Sequence, residues 1–139
     1  MHAPDVKAVP RACPFLAQAE GFAAGTTTPR AFLEACLAEF EAWEPRVGAF
    51  VATNLPAARA AADRSTERWR AGKLLSPIDG MPIGIKDIIE TVDMPTEMGS
   101  PLFEGWRSQK DAACVSALRA AGAVIIGKTV TTEFAASEP

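Results

Sequence analysis

Histidine is almost absent: the 139 residues contain one, His2. A Ser-His-Asp triad needs an imidazole held between a nucleophile and a carboxylate, and the terminal His2 cannot supply it. Cysteine is scarce as well. Cys13, Cys36 and Cys114 are odd in number and far apart, with no CxxC pair and no neighbouring histidine. That pattern excludes a disulfide framework and a zinc site, and reads as reduced thiols in a cytoplasmic protein. No segment reaches the roughly 20 apolar residues of a membrane span. The first twenty residues, broken by Pro4, Pro10 and Pro14, hold no apolar run of signal-peptide length. Secretion and membrane insertion are not expected. Basic excess is missing too: the net charge is -3, with Lys and Arg scattered among acids. No nucleic-acid partner is expected from such a surface.

What is present is ordinary globular composition, 48% hydrophobic and 22% charged, which points to one domain or one incomplete domain. Residues 1–27 read as an N-terminal arm rich in proline, alanine and glycine, with Phe15 and Leu16 able to dock as one helical turn. The remainder, 28–139, reads as one unit. Thr28 followed by Pro29 is a helix start, and Leu33, Cys36, Leu37 and Phe40 fall on one stripe. This helix is expected to stop near Trp43, because Pro45 follows. A short extended piece from Val47 to Thr53 precedes an alanine-rich helix that starts near Pro56 and ends at Gly72. That helix reads as a solvated one packing closely through small side chains.

From Asp79 the period shortens. Asp79-Gly80 is turn chemistry, and Met81, Ile83 and Ile85 alternate with Pro82, Gly84 and Lys86, which predicts a strand with Lys86 on the glycine face. After an irregular stretch from Thr91 to Trp106, Ser108 can cap a helix with Asp111 at its third position and Val115, Leu118 and Ala121 as its buried stripe. Gly122 closes it. Ala123 to Ile126 then forms a short β-branched strand of the fully buried kind. Strand, helix, strand is one unit of an α/β sheet. No internal repeat or low-complexity tract interrupts the pattern.

Two motifs compete for the chemistry. Gly122 to Thr129 reads G-A-V-I-I-G-K-T, formally a P-loop. A phosphate cradle, however, follows a strand and opens a helix. Here a helix ends at Gly122 and the intervening residues are themselves the strand, so nucleotide binding is rejected.

The second candidate is the pair of segments GMPIGIKD, Gly80 to Asp87, and DAACVSALRAAGAVIIGKTVTTEFA, Asp111 to Ala135, with the dipeptide Gly99-Ser100 between them. In this order and spacing they resemble the amidase signature family, over about residues 30 to 135. Two positions depart from the common pattern: Asp79 stands where histidine is commoner, and Val130 where many members have asparagine. Those departures bear on sub-family and substrate.

The resemblance implies an α/β fold in which N-terminal helices precede the first strands of a mixed α/β/α sheet, incomplete in this chain. It implies hydrolysis of a small-molecule carboxamide by a Ser-cisSer-Lys triad, with Lys86 as base and no metal or cofactor. Asp87, Gly99, Ser100, Thr129 and Glu133 match supporting motif positions. A lysine base must be neutral, which requires burial or cationic neighbours; Ile83, Ile85, Ile88 and Ile89 offer an apolar setting. Read without the resemblance, Lys86 is a strand-end lysine paired with Asp87; Lys128 is the rival base, but the resemblance makes its motif position structural.

The family's serine pair and oxyanion amides lie beyond the E-F-A motif. None of Ser65, Ser76, Ser100, Ser108, Ser116 and Ser137 stands in a Ser-Ser or Gly-Gly-Ser context. The expectation is a chain that holds the lysine but no nucleophile, is inactive alone, and self-associates or binds the missing portion. The buried-type strand from Ala123 is expected to lack neighbours on both sides. A non-catalytic module built from part of such a fold is the alternative.

Overall fold

The computed structural model describes residues 11–136. The first ten residues of the expected arm, His2 among them, and Ser137 lie outside the described residues. Helix α1 spans Phe15–Ala24, α2 Pro29–Val47 and α3 Leu55–Arg70; strand β1, Phe50–Thr53, lies between α2 and α3. Strand β2 spans Pro82–Lys86, α4 Ala113–Ala120 and β3 Val124–Thr129, with 3₁₀ turns at Pro101–Phe103 and Glu133–Ala135.

Helix α1 is longer than the single turn expected, because Phe15 and Phe22 have a partner to bury against. Their rings meet Phe32 of α2 at centroid distances of 6.0 Å each, and Phe22 stacks edge-on to Trp69 of α3 at 5.4 Å. Helix α2 opens as expected: the Ala31 amide donates to Thr28 Oγ1 at 3.1 Å, with Pro29 at the start. It does not stop at Trp43. Pro45 lies inside the helix, and the end comes at Gly48, whose φ of 59° makes the left-handed cap. A proline removes one bond, to the carbonyl four residues back. That residue is the exposed Glu41, and the Gly48 amide still reaches Glu44 O at 2.8 Å, so the last turn survives.

In α3 the small side chains do what their pattern implied. Ala58 and Ala62 are buried against Leu33, Leu37 and Val124, bringing α3 close to both α2 and β3.

The sheet has the order β1-β3-β2, with β3 antiparallel to β1 and parallel to β2. This corrects the expectation that the buried strand lacks neighbours. The extended piece after α2 is a true strand and covers one side of β3, leaving the open edges on β1 and β2. Strand β3 also runs further than Ile126, through Gly127 and Lys128 to Thr129. Gly122 to Thr129 is therefore a helix end followed by a strand, not a phosphate loop.

Helix α4 starts later than expected. Ser108 does not cap it: its hydroxyl donates to Glu90 Oε2 at 2.7 Å. Asp111 accepts from the Val92 amide at 2.8 Å and from Arg119 Nε at 2.9 Å. Both side chains are spent tying residues 108–112 to the turn at 90–93, so the helix begins at Ala113. Of its expected stripe, Val115 is fully buried and Leu118 and Ala121 are half-buried.

At the start of β2, Asp79 is buried and held by Arg68 of α3 through two bonds of 2.7 Å each, with the Leu75 amide at 3.0 Å. Burial alone would push this carboxyl up. The Arg68 and Leu75 hydrogen bonds outweigh it and hold the group below the usual carboxylate range. A group depressed in the folded state adds stability above its unfolded value, and that stability is lost as pH falls through the folded value. The urea midpoint is expected to drop below about pH 4, and Asp79→Asn to be less stable at pH 7 with a flatter acid profile. Parallel acid profiles would contradict this.

Candidate functional site

Strands β2 and β3 are parallel, so their carboxyl ends lie on one edge, the edge where open α/β sheets carry ligands. Lys86 is the last residue of β2 and pairs with Thr129, the last of β3. The register places Gly84 beside Gly127 one layer below, on the same face as Lys86. A Cβ on Gly84 would lie 3.2 Å from Phe50 Cε1, and one on Gly127 2.7 Å from Phe50 Cδ1. The two glycines thus leave room for an aromatic ring from β1 to lie across the face that bears Lys86.

Lys86 itself is exposed, and among the described residues its ammonium has no hydrogen bond or ion pair. The expected apolar enclosure does not form. Ile85 points to the opposite face, into a cluster with Met94, Val115 and Ile125, while Ile83, Ile88 and Ile89 are only half-buried. Alternation along the strand is the reason: the isoleucines flanking a lysine in sequence cannot share its face.

Nor does Lys86 pair with Asp87. The carboxylate of Asp87 is buried and its Oδ1 lies 3.0 Å from Lys128 Nζ, itself fully buried. Lys128 donates to Thr96 Oγ1 at 2.7 Å and to the Pro95 carbonyl at 3.1 Å. Oδ1 has no aligned hydrogen-bond partner, so charge holds that contact. The other oxygen, Oδ2, accepts from the Glu97 amide at 3.1 Å. The Asp87 amide donates to Thr129 O at 2.9 Å and its carbonyl accepts from Met98 N at 3.1 Å. One buried ion pair therefore joins β2, β3 and the loop at 94–98 just behind Lys86.

Gly99, Ser100 and Glu133 come together in the next layer. Ser100 Oγ donates to Glu133 Oε1 at 2.7 Å, and the Phe134 amide donates to Met98 O at 2.8 Å. Gly99 has φ of 66°, and a Cβ there would lie 2.7 Å from Thr131 O. Met98, Phe134 and Ala135 also have positive φ, at 57°, 50° and 56°. Non-glycine residues in this region store strain, which concentrates at functional edges.

All six expected residues, Lys86, Asp87, Gly99, Ser100, Thr129 and Glu133, thus sit on or beside one edge. Thr96 and Pro95 were not expected in the cluster, nor was the pairing of Asp87 with Lys128. No local motif signals a pairing over 41 residues; only the register of Ile85 with Lys128 would reveal it. Asp79 lies three residues before β2, whose length of about 13 Å separates that end from Lys86, whereas Val130 is exposed at the edge itself. No group of His, Cys, Asp and Glu among the described residues could hold a metal ion.

Fold and edge together describe a mixed α/β segment, and solved amidases carry a segment of the same fold. The amidase sequence profile matches residues 31–138, and this chain belongs to the amidase family. It is 48% identical over 113 residues to the glutamyl-tRNA(Gln) amidotransferase A subunit of Chloroflexus aggregans, covering 81% of this chain and 23% of that protein. Against the corresponding protein of an Anaeromyxobacter species it is 42% identical, covering 83% of this chain and 23% of that one. The native peptide amidase of Stenotrophomonas maltophilia superimposes with a TM-score of 0.79 at 32% identity, over 88% of this chain and 26% of that structure. A 6-aminohexanoate cyclic dimer hydrolase superimposes at 0.73 with 28% identity, over 86% of this chain and 23% of that one. The chain spans about a quarter of the length of these relatives.

Proposed function

We propose that the protein carrying this chain hydrolyses a carboxamide C–N bond to a carboxylate and ammonia or an amine, with Lys86 as the base. In the triad implied by the resemblance, neutral Nζ of Lys86 takes a proton from a bridging serine, which takes one from the serine nucleophile. The observation that carries this reading is the position of Lys86: a lysine without a partner among the described residues, at the carboxyl end of a parallel strand, with a buried ion pair fixing the backbone next to it. Its rival, Lys128, is occupied by Thr96, Pro95 and Asp87 and cannot approach a substrate.

The serines among the described residues do not supply the nucleophile. Ser100 is engaged with Glu133, Ser108 with Glu90, and Ser76 with the Ala121 carbonyl; Ser65 is buried on the inner face of α3, and Ser116 is exposed on α4, away from the edge that bears Lys86. The pair is assigned to the remainder of the protein, which is also assigned the covering of Lys86 and of the open edges of β1 and β2. No helix of the described residues is long and apolar enough to cross a membrane. The setting is read as cytoplasmic, on the three free thiols.

The identity to amidotransferase A subunits favours a second reading of the same site, in which the amide nitrogen passes to an acceptor instead of being released. Ammonia release from simple carboxamides and from glutamine separates the two, since only the first reading predicts turnover of both. The complete protein is expected to be active. The 139-residue chain alone is expected to show no turnover, because without the nucleophile the covalent route is gone and each oxyanion donor is worth about 10²–10³ in kcat, and to sediment as a dimer or larger species through its open sheet edges. Catalysis by the isolated chain would overturn the assignment. A complete protein inactive on every amide would leave a non-catalytic binding module.

A further inference from the structure

The cysteines that are far apart in the sequence are not all far apart in the fold. Cys13 and Cys36 both pack against the cluster of Phe15, Phe22 and Phe32, while Cys114 is exposed on α4. The segment bearing Cys13 is pinned along α2. The Arg11 amide donates to Glu39 Oε2 at 3.1 Å, and Glu39 stands about one helical turn beyond Cys36. A cavity of about 340 Å³ on this seam is lined by Cys13 together with Phe32, Ala35 and Glu39. Cys13 Sγ donates to the Arg11 carbonyl at 3.7 Å; burial first, and then the neighbouring Cys13, push the Cys36 thiol up to about 12.

We propose that Cys13 and Cys36 are a modification site, a dithiol that a small disulfide oxidant converts to an intramolecular cystine fastening the N-terminal segment to α2. With oxidised glutathione the chemistry balances. The Cys13 thiolate attacks one glutathione sulfur, forming a mixed disulfide and expelling one glutathione thiolate. Cys36, once deprotonated, attacks the Cys13 sulfur, closing the cystine and expelling the second. Two protein thiols lose two protons and two electrons, which appear as two glutathione thiols. Cys13 attacks first because Cys36 is the thiol that gives up its proton less readily. Cytosolic disulfides of this kind are usually transient and redox-sensing. Cys13 lies outside the family-matched residues 31–138 and Cys36 inside them, so the pairing depends on this chain's N-terminal segment and does not rest on the proposed amidase activity.

The test equilibrates the complete protein, and in parallel the 139-residue chain, with reduced and oxidised glutathione, folded and in guanidinium chloride. Remaining thiols are alkylated and the tryptic peptides weighed. The expected product joins residues 12–30 to residues 31–46. Its equilibrium yield, expressed as an effective concentration, should exceed the denatured value by about a hundredfold or more. Cys13→Ser should abolish it and leave Cys36 as thiol or mixed disulfide. The proposal is overturned if, in the complete protein, the folded and denatured values agree within about threefold, or if Cys36 pairs with Cys114 as readily as with Cys13.

Discussion

Replacing Lys86 by alanine in the complete protein is expected to lower kcat by several orders of magnitude while the melting midpoint stays unchanged. Members of a triad act as a unit, so removing one removes nearly the whole covalent route. The stability half of this expectation follows from the structure. Among the described residues the Lys86 side chain makes no hydrogen bond or ion pair, and a base that is neutral where it is covered leaves no buried charge stranded when it is removed. Activity lost without stability lost is a signature that few buried residues here could give. The two measurements are steady-state ammonia release and thermal unfolding on the same preparation.

Lys128 should behave in the opposite way. Lys128→Met is expected to cost about 3–5 kcal/mol, because it strands the Asp87 carboxylate in the interior without its counter-charge. Against a total stability of about 5–15 kcal/mol, that loss approaches unfolding. Lys128→Met combined with Asp87→Asn removes the stranded charge and is expected to recover a large part of the loss. Additive costs in denaturant titrations of the two single variants and the double would show that the pair is not coupled. The contrast separates the two lysines by physical situation: one exposed on the sheet face, one sealed beneath it with its donors committed to Thr96, Pro95 and Asp87.

The parts of the fold legible in the sequence were those set by local chemistry. The Thr28 cap with Pro29, the alanine stripe of α3, the alternation of β2 and the β-branched run of β3 each state their element within a few residues. The misreadings arose where a distant partner outweighs local preference or, at Pro45, where the lost bond falls to an exposed carbonyl. Pro45 signals a stop, yet α2 continues to Val47, with Gly48 as its cap. Ser108 and Asp111 look like a capping pair, yet Glu90, Val92 and Arg119 claim them first. Strand β1 is four residues long and becomes a strand only because β3 lies beside it.

The site divides in the same way. Motif order located Lys86, Gly99, Ser100, Thr129 and Glu133 along the chain, and the fold gathers them on one edge. Which lysine meets Asp87 depends on strand register, and a hydrophobic pattern does not reveal that β3 lies against β2 with Lys128 beside Ile85. The apolar enclosure expected for Lys86 failed for an equally simple reason: its neighbours in sequence face the other side of the sheet.

The central claim, that Lys86 serves as the base, is tested most directly by chemical rescue. Lys86→Ala in the complete protein should regain amide hydrolysis when small primary amines are added, with a rate that rises linearly with the concentration of neutral amine and is unaffected by a quaternary ammonium salt of equal charge. Activity close to wild type in the variant without amine, or a variant inactive at every amine concentration while still folded, would contradict it.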